Sequence, residues 1–215
     1  MGRCSNQSLL GKQLARLHLH NKEVAESKVE RFGFNTVTCC GFIPQSNQWS
    51  NDWIHFFSEK VCFNLENVNY YPIFIHQIEE QIRMQPGDEE VHSLWKKLKT
   101  GMPHFFKGAT LFPSLLHGDL WSGNVAQSGS EPVIFDPASF YGHHEYDLAI
   151  GKMFGGFGSE FQKSYHDIIP KEPGFESRSE LYQLFHCLNH WNLFDDSSYR
   201  SQSLGIMRNL LKCIK

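Results

Sequence analysis

The sequence predicts a mainly α-helical fold that contains one small β hairpin. Apolar residues recur at helical spacing over long segments; Leu10, Leu14 and Leu17 are an example near the N-terminus, and this spacing places them on one face of a helix. The sequence pattern changes at residues 114–136, where short apolar runs alternate with Gly, Ser and Pro. Such runs are typical of short strands joined by tight turns.

The N-terminal half is expected to contain four helices separated by loops. We predict helices at residues 7–28, 53–60, 77–83 and 88–98. Asp52 is placed to cap the second of them. Residues 31–44 are rich in Gly and Thr and are predicted to form an extended loop, whereas residues 61–74 are β-branched and aromatic with an internal proline. We interpret 61–74 as an atypical insertion between helices.

Helices return after Gly142. We predict them at residues 145–154, 160–169, 181–191 and 201–212. The third is the most periodic, with Leu181, Leu184 and Leu188 on one face, which we expect to be core. His190 lies off that face and is therefore free to reach a functional site.

The composition fits one globular unit and excludes several other classes of protein. Of the 215 residues, 40% are hydrophobic and 20% are charged, and the formal net charge is −3, which is far from a disordered composition. A chain this close to neutral has no general electrostatic footprint for nucleic acid. No apolar run is long enough to span a bilayer, and the first residues lack the apolar stretch of a secretory signal. We expect a cytoplasmic protein with no nucleic-acid or membrane partner.

The six cysteines form neither a disulfide nor a zinc-binding pattern. None belongs to a C-x-x-C pair, and Cys39 is adjacent to Cys40, which suits neither an ordinary disulfide nor a tetrahedral zinc site. We expect reduced thiols, in keeping with a cytosolic location.

The segment that carries the chemistry begins at His117. Asp119 lies two residues further on and Asn124 another five, which gives H-x-D-x-x-x-x-N, the spacing of a kinase catalytic loop. Asp136 ends the apolar run 133–135. Two short strands joined by a turn would bring Asn124 and Asp136 close together at one end of the pair, with Asp119 in the loop just before them.

These residue types suit phosphoryl transfer from a magnesium nucleotide. The amide oxygen of Asn124 and the carboxylate of Asp136 are hard ligands of the kind that Mg²⁺ prefers. Asp119 is then free to accept a hydroxyl proton and to orient that hydroxyl for attack on a γ-phosphate. We expect His117 to brace the loop backbone, and Trp121 to be either core or a stacking platform for a sugar.

The chain resembles the fructosamine-3-kinase family, most of all its ketosamine-3-kinase (protein-ribulosamine 3-kinase) branch. The likeness is carried by the motifs RFGFNTVTCCGFIPQ, LLHGDLWSGNV, IFDPASFYGHHEYDLA, MFGGF and YQLFHCLNHWN. It implies that residues 1–215 form the C-terminal lobe of a protein-kinase-like fold, related to those of aminoglycoside and choline kinases.

The resemblance also implies an activity. The family uses ATP and Mg²⁺ to phosphorylate the 3-hydroxyl of ketosamines (ribulosamine, psicosamine or fructosamine) that form when sugars glycate lysine amines. The product sheds its sugar, so the reaction leads to deglycation and protein repair. The expected substrates are glycated proteins or small ketosamines, and the preferred sugar stays open.

The same resemblance assigns residue roles. It implies that Asp119 is the base and that Asn124 and Asp136 are the magnesium ligands. It further implies that Asp147 is a structural carboxylate tying a helix to the catalytic loop, and that Trp121 and His190 line the ketosamine pocket.

One part of the family pattern is missing from the sequence. We find no G-x-G-x-x-G loop and no V-A-I-K-like lysine, the parts of a kinase that clamp ATP. The Gly-rich run 155–158 follows the metal residues and is not interpreted as a phosphate cover. We therefore expect an absent N-terminal lobe, impaired kinase activity, and apolar surface exposed at residues 9–19 and 39–44.

Two alternatives remain open. The first is a catalytically inactive, truncated isoform that acts at most as a binding module. The second is a metal-dependent hydrolase that uses His117, Asp119 and Asp136 together with His143 and His144. The adjacent histidines argue against it, because they lack the i, i+4 spacing that directs two imidazoles to one metal from one helix.

Overall fold

The described residues form a helical body with three two-stranded sheets. The structure, a computed structural model, describes residues 5–24, 26, 28–58 and 77–214. In those ranges the helices are α1 (Gln7–Glu23), α2 (Trp53–Ser58), α3 (Gln77–Arg83), α4 (Glu89–Thr100), α5 (Met102–Phe105), α6 (Tyr146–Phe154), α7 (Ser159–His166), α8 (Phe175–Phe194) and α9 (Ser197–Cys213). The strands are β1 (Thr38–Cys40), β2 (Ile43–Gln45), β3 (Ser114–Leu115), β4 (Val125–Ser128), β5 (Glu131–Ile134) and β6 (Tyr141–Gly142). The predicted insertion at 61–74 lies outside the described residues.

All three strand pairs are antiparallel, and the pairing partners are β1 with β2, β3 with β6 and β4 with β5. The β4–β5 hairpin is the predicted one, and its register pairs Val125 with Ile134. The prediction of a loop at 31–44 was wrong, because β1 and β2 form a second hairpin there. Gly41 has a φ of 66° at that tight turn, a conformation that favours glycine.

Most predicted helices are present, although some of them end at other residues than predicted. The helix predicted at 77–83 is present and ends at Arg83 as predicted, and Asp88 caps α4 by accepting a hydrogen bond from the backbone N–H of Val91 at 3.0 Å. The first helix is shorter than predicted, because Val24 adopts an extended conformation. The short α5 was not predicted; it follows Gly101 directly and has a proline in its first turn.

The larger of the two core clusters in the described residues is rich in aromatic side chains. Trp53 is buried and lies 5.4 Å from the Phe57 ring, centroid to centroid. Its indole N–H donates to the Tyr182 hydroxyl of α8 at 2.9 Å. The predicted core face of α8 is confirmed, since Leu181, Leu184 and Leu188 are buried.

The expected exposure of residues 9–19 was wrong. Leu10 and Leu14 are buried in a second cluster that joins α1 to α7. A Cβ at Gly11 would meet Ser164 Oγ at 2.4 Å, so the two helix backbones approach closely. In 39–44 the exposure is confined to one large apolar side chain, Phe42, which is 74% exposed.

None of the described helices combines the length and hydropathy that a bilayer span requires. The cysteines in the described ranges, Cys39, Cys40, Cys187 and Cys213, are unpaired thiols.

Candidate active site

The predicted loop connects β3 to β4 and carries two of the three predicted site residues, and the third follows β5. Asp119 is half-buried in the loop, Asn124 ends a short 3₁₀ turn, and Asp136 follows β5. The backbone N–H of Phe135 donates to the Asn124 carbonyl at 3.1 Å, which aligns the strand ends. The Asn124 side chain is 3.5 Å from the Asp136 carbonyl oxygen, as the hairpin argument required.

The orientation of Asn124 leaves an oxygen for a metal. Its Nδ2 donates to the backbone oxygen of Asp119 at 2.9 Å and to Asp119 Oδ2 at 3.2 Å. Because the amide nitrogen is engaged, Oδ1 is the free ligand atom. Asp136 is exposed, with a left-handed φ of 56°, which is uncommon outside glycine. An amide oxygen and an exposed carboxylate at one strand end could hold Mg²⁺, which takes few protein ligands.

The environment of Asp119 suits a base. Burial is the largest effect and raises the pKa of its carboxyl against the lowering effects of His117, His190 and Asn124, while the charge of Asp136 adds the smallest effect, in the raising direction. Removal of charged groups from water favours the protonated form of a carboxyl. Asp119 is therefore more basic than an exposed aspartate while it stays in contact with the cleft.

His117 braces the loop through both ring nitrogens. Nε2 donates to the Phe135 carbonyl at 2.9 Å, which leaves Nδ1 to accept a hydrogen bond from the backbone N–H of Asp119 at 3.3 Å. Both nitrogens are committed to the backbone, so this imidazole positions the loop.

Asp147 of α6 accepts hydrogen bonds from the backbone of the same loop. Its Oδ2 accepts a hydrogen bond from the His117 N–H at 2.7 Å, and its Oδ1 accepts one from the Gly118 N–H at 2.8 Å. Burial acts to raise the pKa of Asp147, but the hydrogen bond from His18, the electrostatic effects of His18 and His117 and the Gly118 backbone N–H outweigh it, so the pKa is lowered. Asp147 thereby ties α6 to this loop.

His18 is a supporting residue that the sequence reasoning missed. Its Nε2 donates to Asp147 Oδ2 at 3.1 Å, and its Nδ1 accepts from the Tyr165 hydroxyl at 2.8 Å. A signal was present, because His18 continues the Leu10–Leu14 stripe of α1 by another four residues, and a polar residue on an apolar stripe requires a buried partner.

Asp147→Asn is expected to lower the free energy of unfolding by about 1–3 kcal/mol at neutral pH, because an amide cannot accept from all three donors. The pKa in the folded protein lies below the ordinary 3.8. The carboxylate therefore stabilises the fold fully above about pH 3.8, and this contribution is lost as the pH falls through the folded pKa. Urea unfolding at several pH values should show the difference between wild type and variant shrinking in acid.

The control for this prediction is Asp167→Asn, since Asp167 is exposed and paired with Lys163 at 2.7 Å; that change should cost less than about 1 kcal/mol. A difference between wild type and Asp147→Asn that stays constant from pH 7 to pH 3 would show that Asp147 is not stabilising as a carboxylate.

Gly118 is required by the path of the loop. It has a φ of 84°, and a Cβ there would lie 2.1 Å from the carbonyl oxygen of Ala138. That carbonyl cannot move freely, because the Ala138 N–H donates to His117 O at 2.8 Å.

Gly118→Ala is therefore expected to lower the free energy of unfolding by more than the ~1–3 kcal/mol of backbone strain alone. Gly129→Ala is the matched control, because Gly129 has a φ of 60° with open space at its Cβ position. Calorimetric melting should rank Gly118→Ala well below Gly129→Ala. Equal losses would mean that the contact with Ala138 relaxes without cost.

A cleft of about 390 Å³ opens beside Asp119, a size typical of small-molecule sites. Its lining residues are Cys40, Gly41, Asp119, Trp121, Ile150, Phe154, Asn189, His190, Leu193, Phe194 and Tyr199. Trp121 is 37% exposed in this lining, which favours a platform over a core role. Trp121 and His190 were predicted from the sequence, whereas Phe154, Phe194 and Tyr199 were not.

The aromatic lining is continuous. The ring centroids of Trp121 and Phe154 are 5.6 Å apart, those of Phe154 and His190 5.1 Å, and those of His190 and Tyr199 5.2 Å. His190 Nδ1 donates to the His186 carbonyl at 2.7 Å, so its Nε2 is the nitrogen left to accept a hydrogen bond. Such a wall suits the apolar faces of a sugar or an alkyl chain.

The structure does not bring His143 and His144 into this cleft. Their Nδ1 atoms bond the hydroxyls of Tyr182 at 2.8 Å and Tyr165 at 3.1 Å. With Glu145 they form a buried group whose ligand atoms lie within 4.8 Å of one another, but Arg178 engages both Glu145 oxygens. The geometry therefore does not support the hydrolase alternative.

Comparison with solved structures defines the class of the fold. The chain matches a protein described as a fructosamine-3-kinase from Thermobifida fusca with a TM-score of 0.80 and 26% identity, over 99% of this chain and 67% of that one. It matches a choline/ethanolamine kinase family protein from Mesorhizobium loti with a TM-score of 0.51 and 14% identity, over 97% and 60% of the two chains. The fold is that of a kinase-like C-terminal lobe, as predicted.

Sequence comparison identifies the family. The pattern of the fructosamine kinase family matches residues 1–213, and the chain belongs to that family. It is 46% identical to the ketosamine-3-kinase of Mus musculus, over 97% of this chain and 69% of that protein. It is 40% identical to the chloroplastic protein-ribulosamine 3-kinase of Oryza sativa subsp. japonica, over 98% of this chain and 56% of that protein. The chain thus spans between 56% and 69% of the length of these two relatives.

Proposed function

We propose that the protein transfers the γ-phosphate of ATP to the 3-hydroxyl of a ketosamine, a ribulosamine, psicosamine or fructosamine, and so leads to deglycation. The observation that supports this most is the convergence of Asp119, Asn124 and Asp136 beside an aromatic cleft of about 390 Å³. The names of the relatives from mouse and rice point to the same substrate class.

In this proposal Asp119 accepts the proton of the substrate hydroxyl and orients its oxygen toward the γ-phosphate. Asn124 fixes the Asp119 carboxylate through its Nδ2, at 3.2 Å from Oδ2. Asn124 Oδ1 and Asp136 would hold Mg²⁺, which neutralises charge on the phosphates when it is bound. The raised pKa of Asp119, which follows from its burial, makes it a better proton acceptor than an exposed aspartate.

The cleft would bind the sugar and the amine-bearing chain of the substrate. Trp121 offers a stacking face next to the base, and His190 Nε2 can accept a hydrogen bond from a sugar hydroxyl. Glycated proteins or small ketosamines are the proposed partners. A cytoplasmic location stays a prediction from the cysteine pattern.

The test is to incubate the protein with ATP, Mg²⁺ and ribulosyl-lysine or fructosyl-lysine and to follow the product by ³¹P NMR. A new phosphomonoester resonance coupled to the C3 proton of the sugar is the expected result, formed at a reduced rate because the sequence contains no G-x-G-x-x-G loop and no V-A-I-K-like lysine to clamp ATP. Ketosamine binding without turnover would favour the inactive binding module, and an absence of both would contradict the proposed function.

A further inference from the structure

The cleft beside Asp119 has aromatic rings whose faces are open to a ligand. Trp121, Phe154 and Phe194 line it and are 37%, 38% and 64% exposed. Their ring contacts are inclined and not parallel, since the planes of Trp121 and Phe154 meet at 59° and those of His190 and Phe194 at 43°. These inclined contacts leave ring faces accessible to a molecule that enters the cleft.

The face of an aromatic ring attracts a cation, because the quadrupole of the ring makes its face negative. Within the described part of the chain, the lining of the cleft contains no lysine or arginine. A lysine does lie over a ring elsewhere, where Lys22 Nζ is 4.8 Å from the centroid of Phe112. Lys152, the basic residue in the last turn of α6, is paired with Glu176 at 3.2 Å. The ring faces of the cleft are therefore left for a cation that the ligand brings.

The charges around the cleft also favour a cation. Asp119 is the acidic side chain of the lining. Phe154 is the last residue of α6 and Phe194 the last residue of α8, so two helices reach the cleft with their C-terminal turns, whose carbonyls carry partial negative charge. The first turn of α9 reaches it too, through Tyr199, but the positive end of that helix is capped by the carboxylate of Asp196.

A ketosamine carries a cation at a fixed distance from its reacting hydroxyl. Its nitrogen joins C1 of the sugar to the lysine chain, and an alkylamine of this kind is protonated at neutral pH, as the lysine amine is. Only C1 and C2 separate this nitrogen from C3, whose hydroxyl is the proposed partner of Asp119. The ammonium must then lie close to Asp119, where Trp121 and Phe154 line the cleft with their ring centroids 5.6 Å apart.

We propose that Trp121 and Phe154 bind the substituted ammonium of the ketosamine through cation–π contacts, and that Phe154 is the residue that makes the cleft prefer an amine-linked sugar to an uncharged one. This inference rests on the proposed function, which supplies the ketosamine. It deepens that function by naming the charged group that the cleft recognises and the side chain that recognises it.

The first test compares two ligands on the unaltered protein by titration calorimetry. One ligand is ribulosyl-lysine or fructosyl-lysine, whichever binds more tightly, and the other is the same compound with an ether oxygen in place of the sugar-linked nitrogen. The ether has nearly the same shape and lacks the charge, so its Kd should be about three- to thirtyfold higher. An ether that binds as tightly as the ketosamine overturns the inference and leaves the proposed function standing. If no ketosamine binds, both are contradicted.

The second test separates the rings from the carboxylate of Asp119. Phe154→Leu keeps an apolar side chain and removes the π face. It should raise the Kd for the ketosamine about three- to tenfold and change the Kd for the ether by less than about twofold, so that the preference for the ammonium shrinks. Phe42→Leu is the matched control, because Phe42 is 74% exposed and lies outside the lining; both Kd values should stay unchanged.

Two results of the second test would overturn the role of Phe154. If Phe154→Leu prefers the ammonium as strongly as wild type does, Asp119 and the helix ends select the charge without the ring. If the variant weakens the binding of both ligands equally, Phe154 is an apolar contact and does not distinguish a cation.

Discussion

Replacing Asp119 with Asn is expected to lower the rate of phosphoryl transfer to a ketosamine by about 10²–10⁴-fold, the usual contribution of a positioned base. The variant keeps the shape of the side chain and the Asn124 contact to the backbone oxygen of residue 119 at 2.9 Å. Ketosamine binding should therefore stay within about threefold of wild type while kcat falls. Steady-state kinetics combined with calorimetric binding would separate the two quantities.

Asp167→Asn is a suitable control, because it makes the same substitution at an exposed ion pair with Lys163 and should leave kcat unchanged. The pH profile gives an independent check. Since burial raises the pKa of Asp119, the acid limb of kcat/KM should fall at a higher pH than an exposed aspartate would produce. An Asp119→Asn protein that retains more than a tenth of wild-type kcat would exclude this residue as the base.

The second large effect is expected at the buried ion pair between Arg178 and Glu145. Arg178 Nε and Nη2 donate to the two oxygens of Glu145 at 2.8 and 2.7 Å, and the side chains are 0% and 1% exposed. Arg178 Nη1 also donates to the carbonyls of Phe105 at 3.0 Å and Pro173 at 2.6 Å. Glu145→Gln leaves the guanidinium buried without a counter-charge. It should lower the free energy of unfolding by about 3–5 kcal/mol, as measured by urea denaturation.

Glu176→Gln provides the matched control for this prediction. Glu176 also bonds two cations, Lys152 at 3.2 Å and Lys171 at 2.8 Å, but it is 70% exposed. Solvent screens such pairs, so the loss should stay below about 1 kcal/mol. If both glutamate variants lose the same small amount, the buried pair is not a determinant of stability.

Local features of the chain were predictable because their causes lie within a few residues. The helix at 77–83 and the capping role of Asp52, which accepts the His55 N–H at 2.6 Å, follow from periodicity and side-chain chemistry. The β4–β5 hairpin follows from two short apolar runs and a turn, and its closure brings Asn124 to Asp136. The second hairpin was missed because its strands, Thr38–Cys40 and Ile43–Gln45, are too short to show an alternating pattern.

The supporting partners of the site were not predictable, because they come from distant parts of the chain. His18 and Asp147 are 129 residues apart in sequence, and Gln81 and Asn189 are 108 apart. No spacing rule connects such pairs, since their contact depends on how α1, α3, α6 and α8 pack. The aromatic lining of the cleft arises in the same way, from Phe154 on α6 and Tyr199 on α9.

The helical class of the fold, the catalytic-loop spacing and the likeness to the fructosamine kinase family can be predicted from contiguous residues. The packing of the helices sets which side chains support the loop that carries Asp119, the exposure of Trp121 beside the cleft, and the burial of His143 and His144 away from it. Burial and hydrogen bonding are properties of packed helices, and packing joins residues whose separation along the chain carries no information.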